Sequence, residues 1–187
     1  MDIKKGERFS ITRIANACVL MEIGNHKILT DPFFWNPAFM GINEKIALQP
    51  EELPLLSAII GCHSIIDHWQ IHTLSSYQYK DQVPVFVATR SMAKKAYEAG
   101  FHNVEVLEWN DYRSISDGLF LEVIKAHKGF GLKANNYVLS TQGLRVFFGS
   151  EARDIKPLEK YRLSNHAVDI VIAPVNGVHL FGFQKLV

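Results

Sequence analysis

Cysteine is scarce in this chain: Cys18 and Cys62 are the two in 187 residues. Each lies within an apolar, strand-like run. Such a pair does not make the disulfide framework of a small secreted scaffold, and both are expected as small buried hydrophobes in a reducing cytoplasm. An excess of either charge is missing too. Twenty Lys and Arg against nineteen Asp and Glu leave a net charge of +1, which gives no electrostatic footing for nucleic acid or an anionic membrane surface. No apolar run approaches the ~18 residues that a spanning helix needs. No apolar signal core follows the first residues, Met1 to Arg8. Linkers, low-complexity segments and charge blocks are lacking, so a single domain over 1–187 is expected. With 48% apolar and 21% charged residues, the composition is that of a soluble globular protein long enough for a substantial core.

The patterning is mixed. Phe9 to Ile14 alternates, Cys18 to Ile23 follows, and His26 to Thr30 returns after a Gly24-Asn25 turn, predicting an opening run of hairpins. Asp31-Pro32 stops the third strand. The stretch 33–49 carries Asn-Pro and Met-Gly breaks and predicts an aromatic loop, with Phe33, Phe34, Trp35 and Phe39 packed in the core or loop rather than lining a pocket. Leu53 to Gly61 predicts a buried strand. A short helix is expected from Asp67 onward, with Asp67 near its N-cap. Val83 to Ala88, Val104 to Leu107, Leu119 to Ile124, Tyr137 to Ser140, Arg145 to Phe148 and Val168 to Ala173 are further expected strands. Ser91 to Gly100 and Ile155 to Leu163 are expected helices. Strands that begin as hairpins argue against a purely parallel, doubly wound sheet.

The chemistry concentrates in Cys62-His63-Ser64-Ile65-Ile66-Asp67-His68. Two imidazoles and a carboxylate at a strand exit combine neutral nitrogen and anionic oxygen donors, the donor types of a transition-metal site. Each residue also has a plain structural role open to it: Asp67 as a helix cap, the histidines as ordinary loop or half-buried residues. His26, His72, His102 and His166 have no motif around them. The glycines of Lys128 to Lys133 lack the G-x-x-x-x-G-K-[ST] spacing of a phosphate loop and predict a loop at the site's edge.

The segment His63 to His68 resembles the H-x-H-x-D-H signature of the metallo-β-lactamase superfamily. Other segments match in order. Ile11 to Glu22 is similar to the opening hairpin of the branch of small hydrolases related to ascorbate-phosphate lactonase, and Ile28-Leu29-Thr30-Asp31-Pro32 to its strand end. Ala126-His127, Phe147-Phe148-Gly149-Ser150 and Ala173 to Gly177 fall on later family landmarks. The resemblance implies an α/β (α+β) fold, a four-layer αββα sandwich with its site where strand ends converge, and two adjacent metals, commonly zinc or manganese. His63 and His127 map onto ligands of the first site, and Asp67 and His68 onto ligands of the second. Ile65 stands where the family has a histidine, and Ser150 where it has the bridging aspartate. The last family histidine comes from beyond the final strand, where His179 is the histidine within reach.

A hydrolytic metal needs about three protein ligands and an open position for water. Ile65 donates nothing, and a neutral Ser150 cannot screen two dications. One metal at most is therefore expected, held among His63, Asp67, His68 and His127, with Asp67 as the catalytic group. Glu151 or Asp154 could replace the lost carboxylate. The expected function is metal-dependent hydrolysis of a small ester, lactone or phosphoester. The alternative is an inactive member, without metal, that binds a small ligand or a protein. The family continues with a further helix beyond Leu180-Phe181-Gly182-Phe183, so the C-terminally short chain is expected to self-associate as a homo-oligomer through that apolar edge.

Overall fold

The structure is a computed structural model and describes residues 7–36, 45–126, 132–149, 156–164, 167–173, 178–180 and 183–185. The opening hairpins form β1 (Phe9–Ala15), β2 (Cys18–Ile23) and β3 (His26–Thr30). They pair antiparallel in sequence, and Gly24 makes the second turn with φ +59°, a region that glycine enters without a Cβ penalty. Three parallel strands then extend the sheet: β4 (Ala58–Gly61), β5 (Val85–Val87) and β6 (Val104–Val106). This first sheet has the order β1-β2-β3-β4-β5-β6.

The second sheet contains β7 (Tyr112–Ser116), β8 (Leu119–Lys125), β9 (Asn135–Ser140), β10 (Arg145–Phe148) and β11 (Ile170–Ile172). Its order is β11-β10-β9-β8-β7, antiparallel except for the β10–β11 pair. The sequence reading passed over β7, whose polar Tyr-Arg-Ser-Ile-Ser offers little apolar alternation. A separate hairpin joins β12 (Val178–Leu180) and β13 (Phe183–Lys185). Helix α1 (Arg90–Glu98) follows β5, and α2 (Lys156–Ser164) lies between β10 and β11. No helix among the described residues is long and apolar enough to cross a membrane.

Period-two alternation sorts the side chains into layers. In β8, Leu119, Leu121 and Val123 face the first sheet, meeting Met21, Ile28, Ile60 and Phe86 in the inter-sheet core. On the outer face of the first sheet, Leu20, Leu29, Ile59, Val85 and Val87 pack with Met92, Ala93 and Ala96 of α1. On the outer face of the second, Val138 and Phe147 pack with Tyr161 of α2. The result is a helix, two sheets and a helix in four layers. Burying a Leu, Ile or Phe stabilises by roughly 1.5–3 kcal/mol each, and these three clusters hold the layers together. Cys18 and Cys62 are buried and form no disulfide.

One correction concerns the stretch after Asp67. No α-helix starts there. A turn at 65–68 leads to a 3-10 segment, Ile71–Leu74, whose N-cap is Gln70. The apolar spacing of Trp69, Ile71, Leu74 and Tyr77 reflects their burial against α1 and the first sheet rather than a helical face. For the helix expected at 91–100, the cap is Thr89 rather than Ser91, and its side chain accepts from the Met92 amide. Gly100 does end that helix, at φ +92°.

Candidate active site at the exit of β4

Register brings many strand ends to one end of the sandwich. β3 and β4 run parallel, and β8, β10 and β11 finish at the end where β9 begins. The two sheets are tied there. The Asn135 amide donates to the Cys62 carbonyl at 2.9 Å, and the Tyr137 hydroxyl to the Gly61 carbonyl at 2.8 Å. Burial pushes the Tyr137 hydroxyl well above its ordinary pKa, so it stays a donor.

Asp31 organises this end. Its backbone sits at φ +36°, which Asp tolerates better than most residues, and its side chain is fully buried. Oδ1 accepts from the Cys62 amide at 2.6 Å, and Oδ2 meets His68 Nδ1 at 2.9 Å. The carboxylate thus clamps β3 to the exit of β4 and holds one imidazole. Since a carboxylate oxygen faces Nδ1, that nitrogen carries the proton and Nε2 presents its lone pair in the neutral ring.

The loop after β4 is wound about one carbonyl: the amides of His68 and Trp69 both donate to Ile65 O, at 3.0 and 2.9 Å. The Trp69 ring packs against Gly61 and donates from Nε1 to the Met92 carbonyl at 3.2 Å. A Cβ at position 61 would stand 2.4 Å from the Trp69 ring, so glycine is what allows the indole to close the loop. Gln70 accepts from the Trp35 amide at 3.1 Å, and its own amide donates to Pro32 O at 2.9 Å. Asn16, at φ +49°, donates to the Asp67 carbonyl. The described loops after β1, β3 and β4 are thereby fastened to one another. Of the aromatic cluster, Phe33 and Phe34 are buried, Trp35 is about half exposed, and Phe39 lies outside the described residues.

The structure brings His63, Asp67 and His68 together. The His63 and His68 rings are stacked obliquely, centroids 4.0 Å apart at 45°, and both are almost fully buried. Asp67 Oδ2 lies 3.6 Å from His68 Nε2. That is long for a hydrogen bond. It matches two ligands of one cation, which at ~2.1 Å in tetrahedral geometry stand ~3.4 Å apart. His63 is oriented differently: its Nδ1 accepts from the Ile65 amide at 3.3 Å, which places the proton of a neutral ring on Nε2. Asp67 and His68 would supply two donors toward a cation, with Asp31 as the partner that orients the histidine. Among the described residues no group of three or more His, Cys, Asp or Glu is arranged to hold a metal ion.

Of the remaining expected residues, His127, Ser150, Glu151 and Asp154 lie outside the described residues. β8 nonetheless delivers the buried Ala126 to the site end, directly before position 127. His179 is on β12, in register with Gln184. Ile65 is half buried and contributes its backbone to the loop. Sequence reasoning missed Asp31 as a site residue. Its signal was there: an aspartate closing an apolar strand ahead of proline, too apolar a setting for a solvated carboxylate.

The geometry and the comparisons agree on the class. Residues 10–187 match the family model described as beta-lactamase superfamily domain, and the chain belongs to the metallo-β-lactamase superfamily. No curated protein sequence matches it. Among solved structures it is similar to a possible metal-dependent hydrolase from Veillonella parvula DSM 2008, at 19% identity and TM-score 0.78, covering 97% of this chain and 76% of the other. It is also similar to an isothiocyanate hydrolase from Delia radicum gut bacteria, at 20% identity and TM-score 0.67, covering 86% and 69%. The diiron β-hydroxylase CmlA from Streptomyces venezuelae shares the fold at 14% identity and TM-score 0.68, over 95% of this chain and 36% of that one.

Proposed function

We propose that the protein is a metal-dependent hydrolase of a small ester, lactone or phosphoester, working with a single metal. The observation that carries this reading is the 3.6 Å spacing of Asp67 Oδ2 and His68 Nε2, with His68 fixed from behind by Asp31. Asp67 and His68 would hold the metal, joined by His127 if the family pattern is kept. When bound, a divalent metal supplies Lewis acidity and an activated water. The chain's own contributions follow from the geometry. Asp31 keeps the proton on His68 Nδ1, which leaves the lone pair of the neutral ring on Nε2. The Asp67 side chain is about a third exposed and accepts a proton from an attacking water or orients it. The near-complete burial of His63 and His68 keeps bulk water from competing at the donors.

The Ile65 amide bond to His63 Nδ1 favours a second reading, an inactive member that binds a ligand without metal. Metal analysis of protein purified without chelator separates the two. The hydrolase reading expects about one equivalent of zinc, manganese or iron per chain, lost in His68→Ala and Asp67→Ala. Metal-free protein above pH ~7, where imidazoles are neutral, sinks it and leaves the binding module. Zinc and manganese are the metals the family resemblance brings forward, and this measurement also distinguishes them.

A further inference from the structure

Several large apolar side chains left exposed lie on helices, on an edge strand or at the entry of β4: Tyr97 on α1, Leu163 on α2, Tyr112 on β7 and Leu55 ahead of β4. Three others belong to segments at the opposite end. Trp35 is 48% exposed on the segment after β3, Ile66 45% exposed on the loop after β4, and Leu132 41% exposed on the segment leading into β9. Each segment is fastened to the β4 exit. The Trp35 amide donates to Gln70 Oε1 at 3.1 Å, on a fully buried residue two positions after His68. The Gln70 amide in turn donates to Pro32 O at 2.9 Å, so two bonds lace segment 32–35 to the loop that carries the donors. Ile66 directly precedes Asp67, whose carbonyl is held by Asn16. Leu132 stands three positions ahead of Asn135, whose amide donates to the Cys62 carbonyl at 2.9 Å. Trp35 thereby departs from the packing expected of its cluster, in which Phe33 and Phe34 are buried.

Singly exposed hydrophobes are ordinary surface. Three on the segments that carry and flank Asp67 and His68 put apolar surface where a substrate of that pair arrives. The described charges at this end do not favour an anion. Asp31 and Asp67 bring two carboxylates, enough to offset one divalent cation. Arg13 Nε is turned onto the Asn16 carbonyl at 3.2 Å, and Lys133 Nζ onto Glu108 Oε2 at 2.6 Å and the Leu107 carbonyl at 3.2 Å. We propose, resting on the hydrolase reading above, that the substrate is an uncharged carboxylic ester or lactone with an apolar chain or ring, and that Trp35 and Ile66 select it by covering that apolar part, with Leu132 as the third flank. The indole offers a broad apolar face, and Ile66 a branched side chain beside the Asp67 donor. In this role neither touches the reacting atoms, so their effect falls on KM rather than on kcat.

Two measurements on the full chain test the proposal. Hydrolysis by metal-loaded protein compares methyl acetate, methyl hexanoate and phenyl phosphate by proton release. Calorimetry compares binding of hexanamide and acetamide, which needs no turnover. Methyl hexanoate is expected to exceed methyl acetate in kcat/KM by about tenfold or more, since its four further methylenes are covered, with phenyl phosphate the slowest. Hexanamide should bind more tightly than acetamide by a similar factor. Trp35→Ala and Ile66→Ala should each erode both preferences through KM and affinity, with metal content and kcat on methyl acetate kept. Leu55→Ala, an equally exposed position at the entry of β4, should keep both preferences. Hexanamide binding no tighter than acetamide, or both preferences intact in both rim variants, overturns the proposal. So does preferred turnover of phenyl phosphate, or a Trp35→Ala protein that loses its metal or its kcat on methyl acetate, which would make the indole a support of the loop. Failure of the hydrolase reading shows separately: metal-free, inactive protein that still prefers hexanamide, and loses that preference in Trp35→Ala, keeps the apolar rim and removes the reaction.

Discussion

Asp31 does two jobs with one buried carboxylate, and the two can be separated by substitution. Asp31→Asn keeps an oxygen for the Cys62 amide but turns an NH₂ toward His68 Nδ1, so the ring must shift its proton to Nε2. The expected outcome is a folded protein whose metal affinity drops ~10–100-fold, the usual effect of removing a ligand's orienting partner. Competition titration with a chromophoric chelator measures it; unchanged affinity would mean that His68 is not a ligand. Gly61→Ala acts by bulk. With a new Cβ 2.4 Å from the Trp69 ring and 2.7 Å from Met92 Cε, the indole has to move. We expect a loss of about 1–3 kcal/mol in urea unfolding and a shifted tryptophan emission. The contrast with Ile65 is instructive. At 65 the family signature expects a side chain that donates, whereas here the amide and carbonyl of that residue wind the loop.

At the scale of elements, the strands were legible because alternation and apolar runs report directly on burial. β2, β3, β8 and β10 fall where the pattern placed them, and β4 takes only the last four residues, Ala58–Gly61, of the run expected from Leu53. The loop at 62–70 was not, since its shape comes from partners distant in sequence: Asp31, Pro32, Met92 and Asn135. A motif names the donors of a site, and only the fold supplies what holds them. Hence His63 and His68 could be read from spacing, while Asp31 required the β3–β4 pairing to be seen. For α1, the cap decides. Thr89→Ala removes the acceptor of the Met92 amide and should cost ~0.5–2 kcal/mol. Because α1 also carries the carbonyl that holds Trp69, hydrogen exchange should speed up in 65–70 as well as in the helix. An effect confined to α1 would show that the loop stands independently of it.

For the whole molecule, three tyrosines report on the packing of layers. Burial pushes Tyr77 up to about 12, burial and the Glu122 carboxylate push Tyr161 up to about 12, and Tyr137 lies well above its usual value. Each folded pKa exceeds the unfolded value near 10, so the folded state holds these protons more tightly. Their contribution is complete below pH ~10 and is lost as pH rises from 10 through about 12. Stability to urea should therefore fall steeply across that window, with phenolate absorbance growing in step with unfolding. A flat profile to pH 12 would contradict it. Tyr137→Phe, which also removes the bond to Gly61 that bridges the sheets, should weaken the pH dependence and cost about 0.5–1.5 kcal/mol at neutral pH.

The two thiols are placed in different layers. Cys18 packs in the cluster between the first sheet and α1, and Cys62 in the core between the sheets. Neither is exposed, and burial holds the Cys18 thiol strongly protonated. An alkylating reagent can reach them only through transient openings, so their labelling rates act as two clocks for two separate breathing motions. If the β4 exit swings apart to admit a substrate, Cys62 should be marked long before Cys18, and a bound metal should slow that clock alone.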